Sequence, residues 1–352
     1  MEEKKKTARE IIEGYDGPPV RIMEVCGTHT HEIFRLGIRK LLPEQVELIS
    51  GPGCPVCVTQ VGFIDEAIYL ALERQVTICT FGDLVRVPGT NMSLAGAREK
   101  GAKIRIVYSP VDAKEYAKEH PKEQVTFLSV GFETTTPSAC LSVKKAREEG
   151  LTNYSILTAN KTMPQAYEAL KESADIFLYP GHVNAITGTK LCEELAKEGV
   201  SGVVAGFTAK ELLTALAVAL ARFQEGRPFF VNCYPRVVTE NGSPQAQKLV
   251  EEMMEPCDSE WRGLGVIKGS GMRLQEEWSA FDARKKYKIP PIQGKANPAC
   301  RCGDVLQGKC KPSDCKVFGK VCTPQHPVGA CMVSGEGACS AYYMYGEAEK
   351  MK

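Results

Sequence analysis

Val125-Thr-Phe-Leu-Ser-Val130 is followed by Gly131-Phe-Glu-Thr-Thr-Thr-Pro137, and the chain then continues through Ser138–Glu149 and Tyr154–Thr158. The first and last of these segments are rich in β-branched and aromatic residues, which is typical of strands. Ser138–Glu149 has the apolar spacing of a helix. Strand, loop, helix and strand in this order predict a β-α-β unit, in which the two strands lie parallel in one sheet.

The same alternation extends from residue 19 to about residue 225. The candidate strands are Val20–Val25, Val46–Ser50, Val76–Phe81, Ile104–Tyr108, Val125–Val130, Tyr154–Thr158, Ile176–Tyr179 and Val200–Ala205. Most are separated by helical segments, namely His31–Leu42, Val61–Arg74, Ser138–Glu149, Pro164–Ser173, Lys190–Glu198 and Ala209–Phe223. Such a set of strands could form one barrel or two smaller open sheets. We predict an α/β protein with two Rossmann-like lobes whose sheets are parallel.

The polar stretch Lys114–Gln124 marks the predicted boundary between the lobes. The first lobe then comprises residues 19–122 and the second comprises residues 123–226. Beyond residue 226 the alternation fades, and Asn297–Tyr345 is rich in Cys, Gly and Pro. A segment with so few apolar residues needs a staple to fold. We assign residues 227–352, together with an N-terminal helix in residues 1–15, to a third domain that carries the cysteine-rich segment.

Composition excludes several classes of partner. The 352-residue chain has a net charge of +1, which gives no electrostatic reason to expect a nucleic acid or an anionic membrane. Its strongly charged first ten residues lack the apolar segment of a signal peptide. The longest apolar stretch, Leu212–Ala221, is too short to span a bilayer. We therefore expect a soluble, cytoplasmic and monomeric protein, in which many cysteines indicate metal or redox chemistry rather than disulfides.

The chain has fifteen cysteines, and almost half of them lie together near the C-terminus. These are Cys300, Cys302, Cys310, Cys315, Cys322, Cys331 and Cys339. Four thiolates bind zinc or an iron–sulfur cluster, and the absence of paired C-x-x-C knuckles favours the cluster. The surplus cysteines could form a disulfide or be inert, and a disulfide knot is the alternative without metal. We interpret the isolated cysteines as small buried residues: Cys79, Cys140, Cys192, Cys233 and Cys257.

A second group of cysteines lies in two loops near the N-terminus. Gly51-Pro-Gly-Cys-Pro-Val-Cys57 follows one predicted strand and precedes a helix, and its C-x-x-C thiols are typical of a redox pair or a metal site. Cys26-Gly-Thr-His-Thr30 follows another strand, and both Cys26 and His29 could bind a metal. A nucleophilic Cys–His pair is also possible. Because ligands bind beyond the carboxyl ends of parallel strands, these loops predict one composite site.

Other strand ends carry polar residues that could belong to the same site: Asp83, Glu133, Thr134, Thr135, Asn160, Lys161, His182 and Asn184. The functional interpretation is that Glu133 and the threonine hydroxyls bind a polar ligand or move protons. The structural interpretation is that the threonines cap the helix that follows. The sequence contains no phosphate-binding loop and no complete dinucleotide-binding fingerprint.

These motifs together resemble the HypD family of hydrogenase maturation proteins. The resemblance rests on Cys26-Gly-Thr-His-Thr30, Gly51-Pro-Gly-Cys-Pro-Val-Cys57, Gly131-Phe-Glu-Thr-Thr-Thr-Pro137, Pro180-Gly-His-Val183, Cys300-Arg-Cys-Gly303 and Met332-Val-Ser-Gly-Glu-Gly-Ala-Cys-Ser-Ala341. It implies two Rossmann-like lobes, a part that carries a 4Fe–4S cluster, and a scaffold on which the Fe(CN)2CO unit of NiFe hydrogenases is built. It also implies a small partner, HypC, which supplies a cysteine, and HypE, which delivers cyanide made with HypF.

The resemblance also implies roles for individual residues. Cys26, beside His29, is expected to bind the mononuclear iron that receives cyanide and carbonyl. Cys54 and Cys57 are expected to form a redox pair between that iron and the cluster. The expected cluster ligands are Cys315, Cys322 and Cys339, with either Cys300 or Cys302 as the fourth, whereas Cys310 and Cys331 are left out.

Two other functions fit the residues without the resemblance. A cluster together with a C-x-x-C pair is typical of a stand-alone iron–sulfur thiol oxidoreductase. A zinc-stapled binding module without redox function is the third class. Iron content separates the third class from the others, and dependence on a partner protein for a mononuclear iron separates the first from the second.

Overall fold

The structure, a computed structural model, describes residues 6–346. Its strands are β1 Val20–Glu24, β2 Val46–Ser50, β3 Thr77–Thr80, β4 Ile104–Ile106, β5 Val125–Gly131, β6 Tyr154–Asn160, β7 Ile176–Pro180, β8 Ser201–Ala205, β9 Phe230–Asn232, β10 Met254–Trp261 and β11 Gly265–Leu274. Its helices are α1 Ala8–Glu13, α2 Gly27–Arg35, α3 Pro55–Val58, α4 Val61–Glu73, α5 Leu94–Glu99, α6 Pro110–Glu119, α7 Thr136–Glu148, α8 Pro164–Leu170, α9 Gly181–Thr187, α10 Lys190–Lys197, α11 Ala209–Phe223, α12 Pro244–Met253, α13 Ala283–Lys286, α14 Cys302–Leu306 and α15 Ala338–Tyr345.

The predicted fold class is confirmed: the chain forms two parallel sheets flanked by helices. The first sheet has the strand order β2-β1-β7-β8-β9, and we call it and its helices lobe A. The second has the order β4-β3-β5-β6 and defines lobe B. Each of the eight candidate strands forms at the predicted place. Strands β5 to β8 are buried along their whole length, as expected for a parallel sheet covered on both faces.

The predicted division of the chain at residues 122–123 requires a correction. That boundary falls between β4 and β5, which both pair with β3 in lobe B. Lobe A takes β1 and β2 from before lobe B, and β7 to β9 from after it, so that Ile22 of β1 pairs with Ile176 of β7. The order of strands in a sheet depends on contacts between distant segments, which the alternation of strands and helices does not encode.

The N-terminal helix also belongs elsewhere than predicted. Helix α1 packs against α11, and its buried Ile12 shares one apolar core with Val20 and Leu216 of lobe A. The helix therefore extends lobe A rather than the C-terminal domain. Residues 1–5 and 347–352 of that predicted domain lie outside the described residues.

Beyond lobe A, helix α12 is followed by an antiparallel hairpin of β10 and β11 that the sequence did not predict. Isolated bridges tie this hairpin to both lobes, through Thr59 and Trp261 and through Lys161 and Gly271. The segment 297–346, which we call the tail, has short helices and turns. No helix within residues 6–346 is long and apolar enough to cross a membrane.

One apolar core is shared by both lobes, the hairpin and the tail. It includes Met23 of lobe A, Phe132 of lobe B and the fully buried Trp261 of the hairpin. Five buried cysteines lie in the same core, namely Cys54, Cys57, Cys192, Cys302 and Cys331. The fold thus brings cysteines from distant parts of the sequence into one water-poor region.

Candidate functional site

The two N-terminal cysteine loops lie side by side at the carboxyl ends of β1 and β2. Cys26 is the N-cap of α2 and Cys54 is the N-cap of α3. The loops touch at Gly53, whose carbonyl accepts a 3.0 Å hydrogen bond from the Gly27 amide. A Cβ atom on Gly53 would lie 2.1 Å from the backbone nitrogen of Cys26, so this close approach requires glycine. The predicted convergence of these loops is therefore present in the structure.

A buried polar network stabilises the positions of the two loops. Glu24, at the end of β1, is fully buried and forms an ion pair with Arg39. Its carboxylate also accepts hydrogen bonds from the hydroxyls of Thr30 at 2.7 Å and Ser50 at 3.1 Å. Since Thr30 belongs to α2 and Ser50 ends β2, the network fixes the relative position of the two loops.

Cys26 is held in a water-poor environment with its thiol in the protonated form. Its exposed fraction is only 8%. Burial raises the pKa of the thiol to about 12, although the backbone amides of His29 and Thr28 oppose the rise. Such a thiol releases its proton when a metal replaces it, so metal binding here is coupled to proton release.

His29 presents one free ring nitrogen. Its Nε2 atom lies 3.0 Å from the Gly206 carbonyl oxygen, and because a carbonyl only accepts, Nε2 carries the proton. Nδ1 is then unprotonated, and it is buried with no hydrogen-bond partner. Burial lowers the pKa of the ring to about 4, so the imidazole is neutral near pH 7. A neutral imidazole with a free nitrogen is the form that binds metals.

Cys54 and Cys57 form a close dithiol. Their sulfur atoms are 2.7 Å apart, and the Cys57 amide donates to the Cys54 sulfur at 3.3 Å. Both are free thiols in the structure and both are buried. Burial, followed by hydrogen bonding with Cys331 and Cys54, raises the pKa of Cys57 well above its usual range.

A continuous series of thiols links this pair to the tail. Hydrogen bonding from Cys302 and from Cys57 lowers the pKa of the Cys331 thiol, although that thiol is fully buried. Cys302 interacts in turn with Cys300. We call this series, Cys54, Cys57, Cys331, Cys302 and Cys300, the thiol row. The pKa of Cys331 is lowered because this residue has a thiol donor on each side.

The far end of the thiol row opens into a small cavity, which we call the tail cavity. Six cysteines line it: Cys300, Cys302, Cys315, Cys322, Cys331 and Cys339. Cys310 lines a different groove, beside β2. Within residues 6–346 no three Cys, His, Asp or Glu side chains are placed to bind a single metal ion. The lining offers thiol ligands of the kind that hold an iron–sulfur cluster or a zinc ion.

The other predicted site residues occupy separate places. Asp83 and Thr134 are exposed. The Thr135 hydroxyl donates to the Phe132 carbonyl at 3.2 Å, which is a contact within the loop before α7. His182 is exposed, but its ring stacks on the Phe207 ring, with 3.9 Å between the ring centroids. The Phe207 ring in turn contacts the His29 ring, with 4.7 Å between the centroids. Of these four, His182 is thus the one connected to the Cys26 loop by direct contacts.

Glu133 faces a cavity of its own. Its Oε1 atom accepts a 2.8 Å hydrogen bond from the Met163 amide, whereas Oε2 is buried without a partner. Burial raises the pKa of this carboxyl to about 7. The cavity is lined mainly by side chains from α9, α12 and β11, among them Ile186, Val250 and Met272. A carboxyl that titrates near neutrality suits proton transfer, but this one lies apart from the thiol row.

Two residues of the site were missed by the sequence reasoning. Cys331, which was set aside, is the link between the C-x-x-C pair and the tail cavity. Glu336 accepts a 2.6 Å hydrogen bond from the Thr28 hydroxyl and packs against Gly27, so it fastens the tail to the Cys26 loop. Its place in the motif Met332–Ala341 was the available signal, but a charged residue in a loop does not reveal its partner.

Comparison with known proteins identifies the family of the chain. The family model "HypD: Hydrogenase formation hypA family" matches residues 2–346. The chain is 42% identical to Hydrogenase maturation factor HypD of Cupriavidus necator over 347 residues, covering 95% of this chain and 92% of that protein. It is 44% identical to the factor of the same name from Rhodobacter capsulatus over 340 residues, with coverage of 94% and 90%. The factor of the same name from Escherichia coli is 43% identical over 339 residues, again with coverage of 94% and 90%. The chain belongs to the HypD family of hydrogenase maturation factors.

Proposed function

We propose that the protein is the scaffold on which the Fe(CN)2CO unit of NiFe hydrogenases is assembled, in complex with a HypC-type partner. The observation that carries the proposal is the thiol row, because it joins the C-x-x-C pair beside Cys26 to a cavity lined with cysteines. A scaffold that adds cyanide and carbonyl to iron needs a soft metal site, protection from water and access to electrons. Each need corresponds to a part of this arrangement.

In this proposal the iron is cargo bound at Cys26 and His29. The chain offers one thiolate and one free imidazole nitrogen there, which are too few to hold iron alone. The remaining ligands come from outside the chain: a cysteine of the HypC-type partner, then cyanide delivered by HypE with HypF, and carbonyl. An incomplete site of this kind suits a scaffold, because the finished unit must leave it.

The tail cavity is the proposed place of a 4Fe–4S cluster, which supplies electrons one at a time when bound. Cys315, Cys322 and Cys339, with Cys300 or Cys302, are its predicted ligands, and Cys331 lines the same cavity. The Cys54–Cys57 dithiol exchanges two electrons and two protons when it closes or opens a disulfide. Its place between the tail cavity and Cys26 makes it the proposed redox pair of the scaffold.

The same thiol row also fits the second candidate, a stand-alone thiol oxidoreductase. That function requires no mononuclear iron and no partner at Cys26. The two candidates therefore differ in one measurable property, which is iron bound beyond the cluster.

The test is metal analysis of the chain purified without oxygen, alone and with a HypC-type partner. We expect about four iron and four sulfide per chain alone, which is the content of one cubane cluster. We expect about one further iron in the complex, lost in Cys26→Ala while sulfide is unchanged. Zinc without sulfide would refute the cluster, and a complex without further iron would favour the oxidoreductase.

A further inference from the structure

Arg262 lies between the two sulfur centres, in the turn that joins β10 and β11. Its amide donates a 2.8 Å hydrogen bond to the carbonyl of Val58, the residue after Cys57. The next residue, Gly263, has a φ of +82° and packs directly on Gly303, the residue after Cys302. A Cβ atom on Gly263 would lie 2.4 Å from the Cα atom of Gly303. The hairpin turn therefore places Arg262 next to the segments that carry Cys57 and Cys302.

The charge of Arg262 is buried and unbalanced. The residue is 6% exposed. Its Nη2 atom donates to the Pro88 carbonyl at 2.7 Å, whereas Nε and Nη1 are buried and have no hydrogen-bond partner. Among the described residues, no nitrogen of this guanidinium is paired with a carboxylate. A buried, unpaired cation costs several kcal/mol, so a protein that keeps one usually sets it against a negative charge that forms during function.

The negative charge nearby belongs to sulfur. Arg262 lines one groove together with Cys300 and Cys302. One-electron reduction of a cluster held by the tail cysteines adds negative charge to these sulfur atoms. In a medium of low dielectric constant a fixed cation stabilises that added charge strongly.

We infer that Arg262 is the counter-cation of the tail centre, and that it makes this centre easier to reduce. The inference rests on the proposed function for the identity of the tail centre. Arg262 acts by stabilising charge on the sulfur atoms and not on the iron cargo. It is therefore a positioning residue rather than a catalytic residue.

The experiment is an anaerobic potentiometric titration of the full chain. Electron paramagnetic resonance follows the tail centre, while alkylation and mass spectrometry follow Cys54 and Cys57 in the same samples. The variants are Arg262→Met and Arg262→Gln, which remove the charge, and Arg262→Lys, which keeps it. Lys295→Met is the matched control, because Lys295 is an exposed basic residue of the groove that Arg262 also lines.

We expect both neutral variants to lower the reduction potential of the tail centre by at least about 59 mV for one electron, which is a tenfold change in the equilibrium constant of reduction. The Cys54–Cys57 couple, whose reduced form is an uncharged dithiol, keeps its wild-type potential and serves as an internal reference. Arg262→Lys keeps most of the wild-type potential, and Lys295→Met keeps all of it. Arg262→Gln retains a donor for the Pro88 carbonyl, so it remains available if Arg262→Met fails to fold.

Unchanged potentials in a folded neutral variant would overturn the inference, as would an equally large shift in Arg262→Lys. A wild-type chain without iron would instead refute the cluster of the proposed function. That result would overturn the inference together with the cluster, whereas unchanged potentials in a neutral variant that contains iron would overturn the inference alone.

Discussion

The two sulfur centres are built in different ways. Cys26 and Cys54 stand at the ends of buried parallel strands, and the glycine contact at Gly53 and the Glu24 network fix their positions. The tail cysteines stand on short helices and turns around a small cavity. The comparison shows that the first centre is organised by the fold, and it leads us to propose that the second is organised by what its cysteines bind.

Removal of a tail cysteine should have the largest effect on stability. Cys322→Ala deletes a buried thiol of the tail cavity, so we expect loss of the cluster and unfolding of the tail, because binding of a structural metal centre contributes directly to folding. Hydrogen exchange should show lost protection within residues 297–346 and unchanged protection in both sheets.

Cys310→Ala is the matched control, since Cys310 lies outside the tail cavity. We expect it to keep both iron and protection. If Cys322→Ala keeps its tail folded without iron, the tail is organised by its own packing and the contrast between the centres is wrong.

Gly53→Ala tests the organisation of the first centre by the fold. The added methyl group would lie 2.1 Å from the backbone of Cys26, so one loop must move away from the other. We expect a loss of about 3 kcal/mol in the free energy of unfolding, measured by urea denaturation. Gly335→Ala is the control, because its added methyl group enters open space. Gly150→Ala would not serve, because Gly150 has a positive φ. Equal stability of Gly53→Ala and Gly335→Ala would show that the loops are not in contact.

Much of the first centre could be predicted from the sequence, because strand ends, C-x-x-C spacing and loop glycines are local features. The strand order of lobe A could not, since the partnership of β1 with β7 depends on contacts between residues more than 150 positions apart. The β10–β11 hairpin was missed because Met254–Trp261 alternates buried and exposed positions but has few apolar residues. The link through Cys331 was missed for a similar reason: one cysteine among seven carries no mark of the partner it meets.

Replacement of Glu133 should have a smaller effect on stability, and that effect should depend on pH. Its pKa rises from 4.5 in the unfolded chain to about 7 in the folded protein, so the folded protein binds this proton more tightly. Stability contributed by the group is therefore present below pH 4.5 and is lost as the pH rises towards 7. Glu133→Gln should be more stable than wild type at pH 8, by on the order of 2 kcal/mol, and similar to it at pH 4.5.

Denaturation curves at the two pH values measure this difference. Glu251→Gln is the control, because Glu251 lines the same cavity but is exposed. A gain at pH 8 that persists unchanged at pH 4.5 would mean that ionisation of Glu133 is not the cause.

Cys26→Ala should have the smallest effect on stability. The side chain is buried but small, and it caps no helix through its sulfur, so we expect a loss of about 1 kcal/mol. Thermal melting of the variant should therefore match wild type within a few degrees. A large loss would assign Cys26 to the core rather than to the site.

The most direct test of the scaffold is an infrared spectrum of the complex between this chain and a HypC-type partner, purified without oxygen. The account predicts stretching bands of iron-bound cyanide and carbonyl in wild type. In Cys26→Ala these bands disappear, while the brown colour and sulfide content of the tail cluster persist. Bands that survive in Cys26→Ala, or that are absent from a wild-type complex able to mature hydrogenase, would contradict the assignment of iron assembly to this site.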